Sequence, residues 1–140
     1  MPKNNPIILI DDDKEDQEIF MELLDALSIP NELVYFPNCI AALAYLTATR
    51  EPPFLIFCDI NLPKLNGIEF KKRIDADPVL RKKSIPFLFY STSADKYVVE
   101  QAYTQMTVQG FFQKGTDFSE MKKLLQVIFQ YWQYCEHPNV

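Results

Sequence analysis

The sequence is poor in the residues that build several common classes of protein. It has three cysteines, at positions 39, 58 and 135, whose spacing fits neither a disulfide framework nor a Cys-x-x-Cys zinc site. It has three glycines, so a nucleotide-binding loop of the GxGxxG type is excluded. The single histidine, His137, stands close to the end of the sequence. We expect reduced thiols, and a flexible segment around His137 without a metal or catalytic role.

Positive charge and long apolar runs are also scarce. Lys and Arg number 14 against 19 Asp and Glu, a net charge of −5, which argues against a general nucleic-acid binder because phosphates require a basic face. No apolar run approaches the roughly 18 residues of a membrane span, and no signal peptide is visible. We therefore expect no nucleic-acid partner, no membrane contact and a cytoplasmic location.

The length and the 48% hydrophobic content are typical of one globular domain with a real core. We expect a single domain over residues 1–140, with a core over about 6–135, a short C-terminal tail and no output domain. Two basic runs, 71–73 and 81–83, are interpreted as solvated helix and loop charges.

Short continuous apolar runs alternate with segments of helical periodicity. The runs are typical of strands buried on both faces, whereas residues such as Ile19, Leu23 and Leu27 mark one face of a helix. This alternation predicts an α/β protein with a parallel sheet and right-handed crossovers. We expect a flavodoxin-like, doubly wound sheet of five strands in the order 2-1-3-4-5 with five helices. The predicted strands are 7–10, 33–36, 54–58, 86–90 and 110–113.

Four of these strands end in polar residues with complementary chemistry. Ligands of open α/β sheets bind outside the carboxyl ends of the strands, where these residues are expected to meet. Clustered carboxylates repel one another, and a hard divalent cation such as Mg²⁺ removes that repulsion. Each residue alone is also compatible with a helix cap, a turn or a solvated surface charge. The residues are Asp11, Asp12, Asp13, Asp59, Ser91 and Lys114.

Phosphoryl transfer is a reaction that such a set can perform. An Asp carboxylate is a known nucleophile that forms an aspartyl phosphate. The metal, the hydroxyl of Ser91 and the ammonium of Lys114 can then hold the phosphoryl oxygens. Asp13 directly precedes the next helix, and we interpret it as the cap of that helix and not as a ligand.

Four motifs in this order resemble the receiver domain of response regulators in two-component signalling. They are ILIDDD (8–13), FCDINLPKLNG (57–67), IPFLFYSTS (85–93) and GFFQK (110–114). The resemblance implies that Asp59 is the phosphoacceptor and that Asp11 and Asp12 are the acidic pair. It implies that Asp12 binds Mg²⁺ directly, that Asp11 acts partly through water, and that the backbone carbonyl of Asn61 is a further ligand. Lys114 would bind a phosphoryl oxygen.

The same resemblance implies a conformational switch. Ser91 would move its hydroxyl to the phosphoryl group, and Phe111 would turn inward behind it. We expect the inward position of Phe111 to be populated before phosphorylation, because its ring has no hydroxyl to seek water. Asn61 and Ser93 would tune the lifetime of the phosphoryl group.

The resemblance also implies the partners. The donor would be a sensor histidine kinase or a phosphotransfer protein, and the output a protein–protein contact by a monomer or weak homodimer. The chain would be no enzyme beyond assisting its own phosphorylation and dephosphorylation. The C-terminal run is similar to single-domain regulators that serve phytochrome-type kinases. The family usually has a cis proline after the lysine; here the residue is Gly115, for which we expect a trans bond.

Three alternatives stay open at this point. A phosphatase of the haloacid-dehalogenase-like type also uses an Asp nucleophile with Mg²⁺, but it requires Asp-x-Asp after its first strand, where Asp59-Ile60-Asn61 follows the third. A flavodoxin-like cofactor binder requires a Ser, Thr and Gly loop in place of Asp11 and Asp12. A degenerate receiver acting as an unphosphorylated docking module would not need the complete acidic site.

Overall fold

The structure, a computed structural model, describes residues 2–92 and 94–139. Its centre is a parallel sheet of five strands in the order β2-β1-β3-β4-β5, which confirms the predicted flavodoxin-like topology. The register pairs Ile10 with Cys58 and Ser91 with Gln113, so the carboxyl ends of the strands lie at one edge. The strands are β1 (Ile7–Ile10), β2 (Leu33–Phe36), β3 (Leu55–Cys58), β4 (Phe87–Ser91) and β5 (Gly110–Gln113).

Six α-helices and a short 3₁₀ helix (Pro2–Asn4) surround the sheet in the described part of the chain. Five of the α-helices follow the predicted periodic segments. None of the helices described is long and apolar enough to cross a membrane. The α-helices are α1 (Lys14–Ala26), α2 (Cys39–Ala48), α3 (Gly67–Ala76), α4 (Pro78–Lys83), α5 (Lys96–Gln105) and α6 (Phe118–Tyr134).

The prediction of five helices misses α4. Its N-cap is Asp77, whose side chain accepts hydrogen bonds from the backbone N–H groups of Val79 and Leu80. Pro78 supplies a favourable first residue because its missing N–H needs no partner there. The helix spans 6 residues and buries only Leu80, so its sequence carries no helical periodicity.

The two faces of the sheet are covered by different helices. Alternate strand residues point to opposite faces, so Ile8 and Phe89 pack in one cluster while Leu9 and Leu88 pack in the other. Buried residues of α2, α3, α4 and α5 complete the first cluster, and those of α1 and α6 complete the second. This two-layer cover leaves the loops after the strands free to form a site.

The C-terminal segment differs from its prediction as a flexible end. His137 is 3% exposed, and its ring packs near the rings of Phe54 and Trp132. Its Nε2 donates to the carbonyl of Phe54 over 2.9 Å, while its Nδ1 accepts from the backbone N–H of Asn139. The segment after α6 therefore turns back onto the sheet, and burial lowers the pKa of His137, which favours the neutral ring.

Two of the basic residues interpreted as solvated are engaged in the structure. Lys71 is 5% exposed and pairs with Asp75. The ammonium of Lys83 donates to the carbonyls of Leu46, Thr47 and Thr49 at the end of α2. A lysine at this position donates to carbonyls that have no partner within their own helix. Its positive charge also interacts favourably with the negative end of the helix dipole.

Candidate functional site

The polar residues predicted at the strand ends meet at the carboxyl edge of the sheet. The backbone N–H of Asp59 donates to the carbonyl of Ile10 over 2.9 Å, and that of Lys114 donates to the carbonyl of Ser91 over 2.9 Å. The pairing of the strands thus continues into the loops that carry the site. Rigid strands therefore set the positions of these side chains.

The carboxylate of Asp59 is the centre of the site. Its Oδ1 accepts hydrogen bonds from the backbone N–H of Ile60 over 2.7 Å and from the hydroxyl of Ser91 over 2.6 Å. Its Oδ2 accepts from the ammonium of Lys114 over 3.1 Å. The residue is 8% exposed, so these three donors fix the orientation of a nearly buried carboxylate.

Gly67, the first residue of α3, lies directly against the backbone carbonyl of Asp59. A Cβ atom at this position would lie 2.2 Å from the carbonyl oxygen of Asp59, where no real Cβ atom fits. The backbone N–H of Gly67 also donates to the carbonyl of Ile60 over 2.9 Å. Because Asn66 also caps the helix at this point, the start of α3 is fixed against the loop that follows Asp59.

Lys114 contacts three carboxylates at once. Its ammonium lies 2.6 Å from Asp11, 2.9 Å from Asp16 and 3.1 Å from Asp59. The contact with Asp59 was expected, whereas that with Asp16 was not. Asp16 lies in the first turn of α1, three residues after the cap Asp13, and its side chain extends to the ammonium of Lys114. The signal available in the sequence was an acidic residue three positions after a helix cap.

Burial and neighbouring charges shift the pKa values of Asp11 and Lys114 in opposite directions. Burial raises the pKa of Asp11 to about 6, although hydrogen bonds from Lys114 and from the backbone of Asp13 act to lower it. Burial alone would lower the pKa of Lys114, but the hydrogen bond and charge of Asp11, joined by Asp16 and Asp59, raise it above its usual value. At neutral pH Asp11 is therefore ionised and Lys114 protonated.

The residues present fit a divalent cation. Asp11, Asp12 and Asp59 each offer a carboxylate oxygen, and these oxygens all lie within 4.8 Å of one another. Asp12 is exposed while the other two are buried, so the cluster is reached from solvent. One lysine does not neutralise three carboxylates, and hard oxygen ligands with room for water are what Mg²⁺ prefers. Asn61 follows two residues after Asp59 in the same loop, where its carbonyl remains a predicted ligand.

Phe111 lies in β5, beside the end of β4. Its ring is half-buried and packs against Phe89, with 5.6 Å between the ring centroids. Its backbone N–H donates to the hydroxyl of Tyr103 in α5 over 3.0 Å, a contact that the sequence did not indicate. Ser93, predicted to tune phosphoryl lifetime, lies outside the described residues.

The loop after Lys114 has the expected trans geometry at Gly115. Gly115 does not use a positive φ angle, so its conformation is open to other residues. A Cβ atom there would lie 3.1 Å from the Cβ of Glu120 in α6. The loop ends at Asp117, which caps α6 because its side chain accepts from the backbone N–H of Glu120.

The acidic cluster at the edge of the sheet, the buried Asp59 carboxylate and Lys114 agree with a comparison against known families. The model of the response regulator receiver domain matches residues 7–126. The chain belongs to this family. Receiver domains are signalling switches that sensor histidine kinases phosphorylate and that bind a divalent metal at an acidic site. Family membership favours a receiver over the phosphatase and cofactor-binding alternatives.

Individual relatives are similar over nearly the whole chain. Response regulator Rcp1 from Synechocystis sp. is 30% identical over 138 residues, which cover 93% of this chain and 92% of that one. The phosphorylated cyanobacterial phytochrome response regulator RcpA superposes with a TM-score of 0.84 at 29% identity and covers 95% of this chain and 97% of its own. The Mn²⁺-bound form of Rcp1 superposes with a TM-score of 0.81 at 29% identity, over 95% of this chain and 98% of its own.

Proposed function

We propose that this chain is a phospho-accepting switch in which Asp59 takes a phosphoryl group from a phosphohistidine. The observation that carries the proposal is the three-donor hold on the Asp59 carboxylate, next to two further carboxylates. The donor is a sensor histidine kinase or a phosphotransfer protein. We favour a kinase of the phytochrome type, because one similar structure is the phosphorylated cyanobacterial phytochrome response regulator RcpA.

The transfer is a displacement at phosphorus. A carboxylate oxygen of Asp59 forms the new P–O bond while the P–N bond to the donor imidazole breaks, and the electron pair stays on the imidazole nitrogen. Ser91 and Lys114 already donate to Asp59, so each can pass its hydrogen bond to a phosphoryl oxygen. These donors act on the charge that the transfer brings into the site.

A magnesium ion is the cofactor that we propose for this site. Asp12, Asp59 and the carbonyl of Asn61 would hold it directly, and Asp11 would act partly through water. The contacts of Asp11 support that division, because its Oδ2 accepts from Lys114 and its Oδ1 accepts from the backbone N–H of Asp13. When bound, the ion neutralises the negative charge of the phosphoryl group and of the attacking carboxylate.

The output is a change in surface shape near α5 and β5. Ser91 would follow the phosphoryl group, and Phe111, already packed on Phe89, would close behind it. Asn61 and Ser93 would set the lifetime of the phosphoryl group. We propose that residues 1–140 act as one receiver domain in the cytoplasm, as a monomer or weak homodimer that contacts a protein target and catalyses no further reaction. Its three thiols are free, which suits a reducing compartment.

Acetyl phosphate with Mg²⁺ tests the nucleophile. The intact protein should gain one phosphoryl mass, and Asp59→Asn should gain none. Asp13→Asn is the matched control, because Asp13 accepts from the backbone N–H of Glu15 at the start of α1 and lies in the same acidic run. Labelling that persists in Asp59→Asn, or that vanishes equally in Asp13→Asn, would contradict the proposal.

A further inference from the structure

A cavity lies at the opposite edge of the sheet from the acidic site. Its volume is about 310 Å³, within the range of small-molecule pockets. It opens beside Ile56 near the start of β3, Phe87 at the start of β4, and Gln109 just before β5. Since Asp59, with its neighbours, follows the other ends of these parallel strands, the two sites share no residue.

Lys71 gives this cavity a buried positive charge. Its side chain is 6% exposed, and its ammonium lies 5.1 Å from the centroid of the Phe87 ring. Of three ammonium donors, one is used in a described hydrogen bond, to Oδ1 of Asp75 over 2.9 Å. Asp75 is more fully engaged, because it also accepts from the backbone N–H and the hydroxyl of Thr107. A buried ammonium with spare donors favours a further acceptor beside it.

Arg81 adds a second cation to the same lining. It is exposed on α4, the short helix that the sequence did not predict. Among the described residues of the lining, Asp75 supplies the one carboxylate, so it does not balance the charge of Lys71 and Arg81 together. This excess of positive charge favours an anionic occupant.

The rest of the cavity is largely apolar and is closed by the C-terminal segment. Trp132 and Pro138 form the wall on that side. The segment is fixed there because the side-chain amide of Asn139 donates to the carbonyl of Lys83 over 2.6 Å. Further apolar side chains of the lining are Leu46, Ile56, Ile74, Leu80 and Phe87. An occupant must therefore combine a charged head with an apolar body.

We propose that this cavity binds a small amphipathic anion, with one carboxylate or phosphate head held by Lys71 and Arg81 and an apolar body of about one ring against Trp132. The site is independent of the function proposed for Asp59, because it uses none of the same side chains. Ions lacking an apolar body, and neutral molecules lacking the head, satisfy only half of the lining and bind more weakly.

Fluorescence of Trp132 reports binding directly, since it is the only tryptophan in the chain. Phenyl phosphate and phenylacetate, titrated separately, should each change its emission with a dissociation constant of about 1 mM or tighter, and the tighter of the two identifies the preferred head. Benzyl alcohol and inorganic phosphate should bind at least about tenfold more weakly. Equal binding by benzyl alcohol, or saturation by neither aromatic anion, would overturn the proposal.

Arg81 and Lys82, which are neighbours on α4, give a matched pair of variants. Arg81→Gln should weaken the better anion about tenfold, whereas Lys82→Gln, next to it on α4 but outside the lining, should leave binding unchanged. Lys71→Met should abolish binding if the variant folds. If it does not fold, Arg81→Gln still tests the site, because Arg81 is exposed and its replacement should leave the fold intact. Equal losses in Arg81→Gln and Lys82→Gln would indicate diffuse surface attraction and refute the site. Asp59→Asn should bind normally, which separates this result from the phosphorylation test.

Discussion

The hydroxyl of Ser91 donates a hydrogen bond to Oδ1 of Asp59 over 2.6 Å, and both residues are buried. This bond joins the end of β4 to the loop after β3 before any phosphoryl group is present. Phosphorylation of Asp59 would turn a carboxylate into an acyl phosphate and offer Ser91 stronger acceptor oxygens nearby. On the proposed function, the switch would begin with the redirection of this one existing hydrogen bond and would not need a distant side chain to arrive.

Removing that bond should destabilise the resting protein. Ser91→Ala leaves one fewer donor on a buried charged carboxylate, which costs about 1.5–3 kcal/mol of unfolding free energy. Urea unfolding measures this loss. Thr104→Ala removes an exposed hydroxyl from α5 and should change stability by less than about 0.5 kcal/mol. A loss in Ser91→Ala no larger than in this control would mean that the bond contributes nothing to the resting state.

Asp16 should restrain Lys114 before phosphorylation. Its carboxylate, 2.9 Å from the ammonium, competes with an incoming phosphoryl oxygen for the same donor. The side chain of Asp16 is 35% exposed, so the contact is worth no more than about 1 kcal/mol after screening by solvent. Asp16→Asn should then speed phosphorylation by acetyl phosphate about fivefold.

Glu15→Gln is the control for that rate, since Glu15 is an exposed acidic residue of the same helical turn. If both variants speed the reaction equally, the cause is the general loss of negative charge near the site and not the release of Lys114.

The fold and the central residues of the site were predictable for a physical reason. Buried parallel strands give continuous apolar runs that end abruptly, and the residue at each end is visible in the sequence. Asp59, Ser91 and Lys114 are such residues, and the structure brings all three into contact.

What the sequence did not predict depends on directions that periodicity does not encode. Asp16 reaches Lys114 because of how the first turn of α1 leaves the strand. His137 is buried because the chain reverses after α6, and Lys71 is buried although its neighbours Lys72 and Arg73 are exposed. In each case the residue type favours the surface, and a tertiary partner overrides that preference.

The raised pKa of Asp11, about 6, predicts opposite pH responses with and without metal. The folded state holds this proton more tightly than the unfolded chain, whose value is 3.8. Without metal, the contribution of Asp11 to the free energy of unfolding should therefore be largest below pH 4. It should fall by up to about 3 kcal/mol as the pH rises to 6. With saturating Mg²⁺ the fall should shrink or reverse, because the cation favours ionised carboxylates.

Thermal melts between pH 4 and 7.5, in EDTA and in MgCl₂, measure this difference. Asp11→Asn removes the titrating group and should flatten the difference between the two series. A metal effect that is independent of pH in the unmodified protein would contradict the assignment of Asp11 to the site.

Gly67→Ala should displace Asp59 without changing its side chain. The added Cβ atom would lie 2.2 Å from the carbonyl oxygen of Asp59, and both groups belong to backbone that cannot swing away. The loop must shift, which costs about 1–3 kcal/mol of stability and tilts the carboxylate away from Ser91 and Lys114. Because a misplacement of about 1 Å costs roughly a hundredfold in rate, phosphorylation by acetyl phosphate should slow by at least tenfold.

Gly115→Ala is the matched control, since its Cβ atom meets only side-chain atoms of Glu120 and Met121 at 3.1 Å or more. If Gly67→Ala folds as stably as Gly115→Ala and accepts phosphate as fast, the start of α3 does not position Asp59.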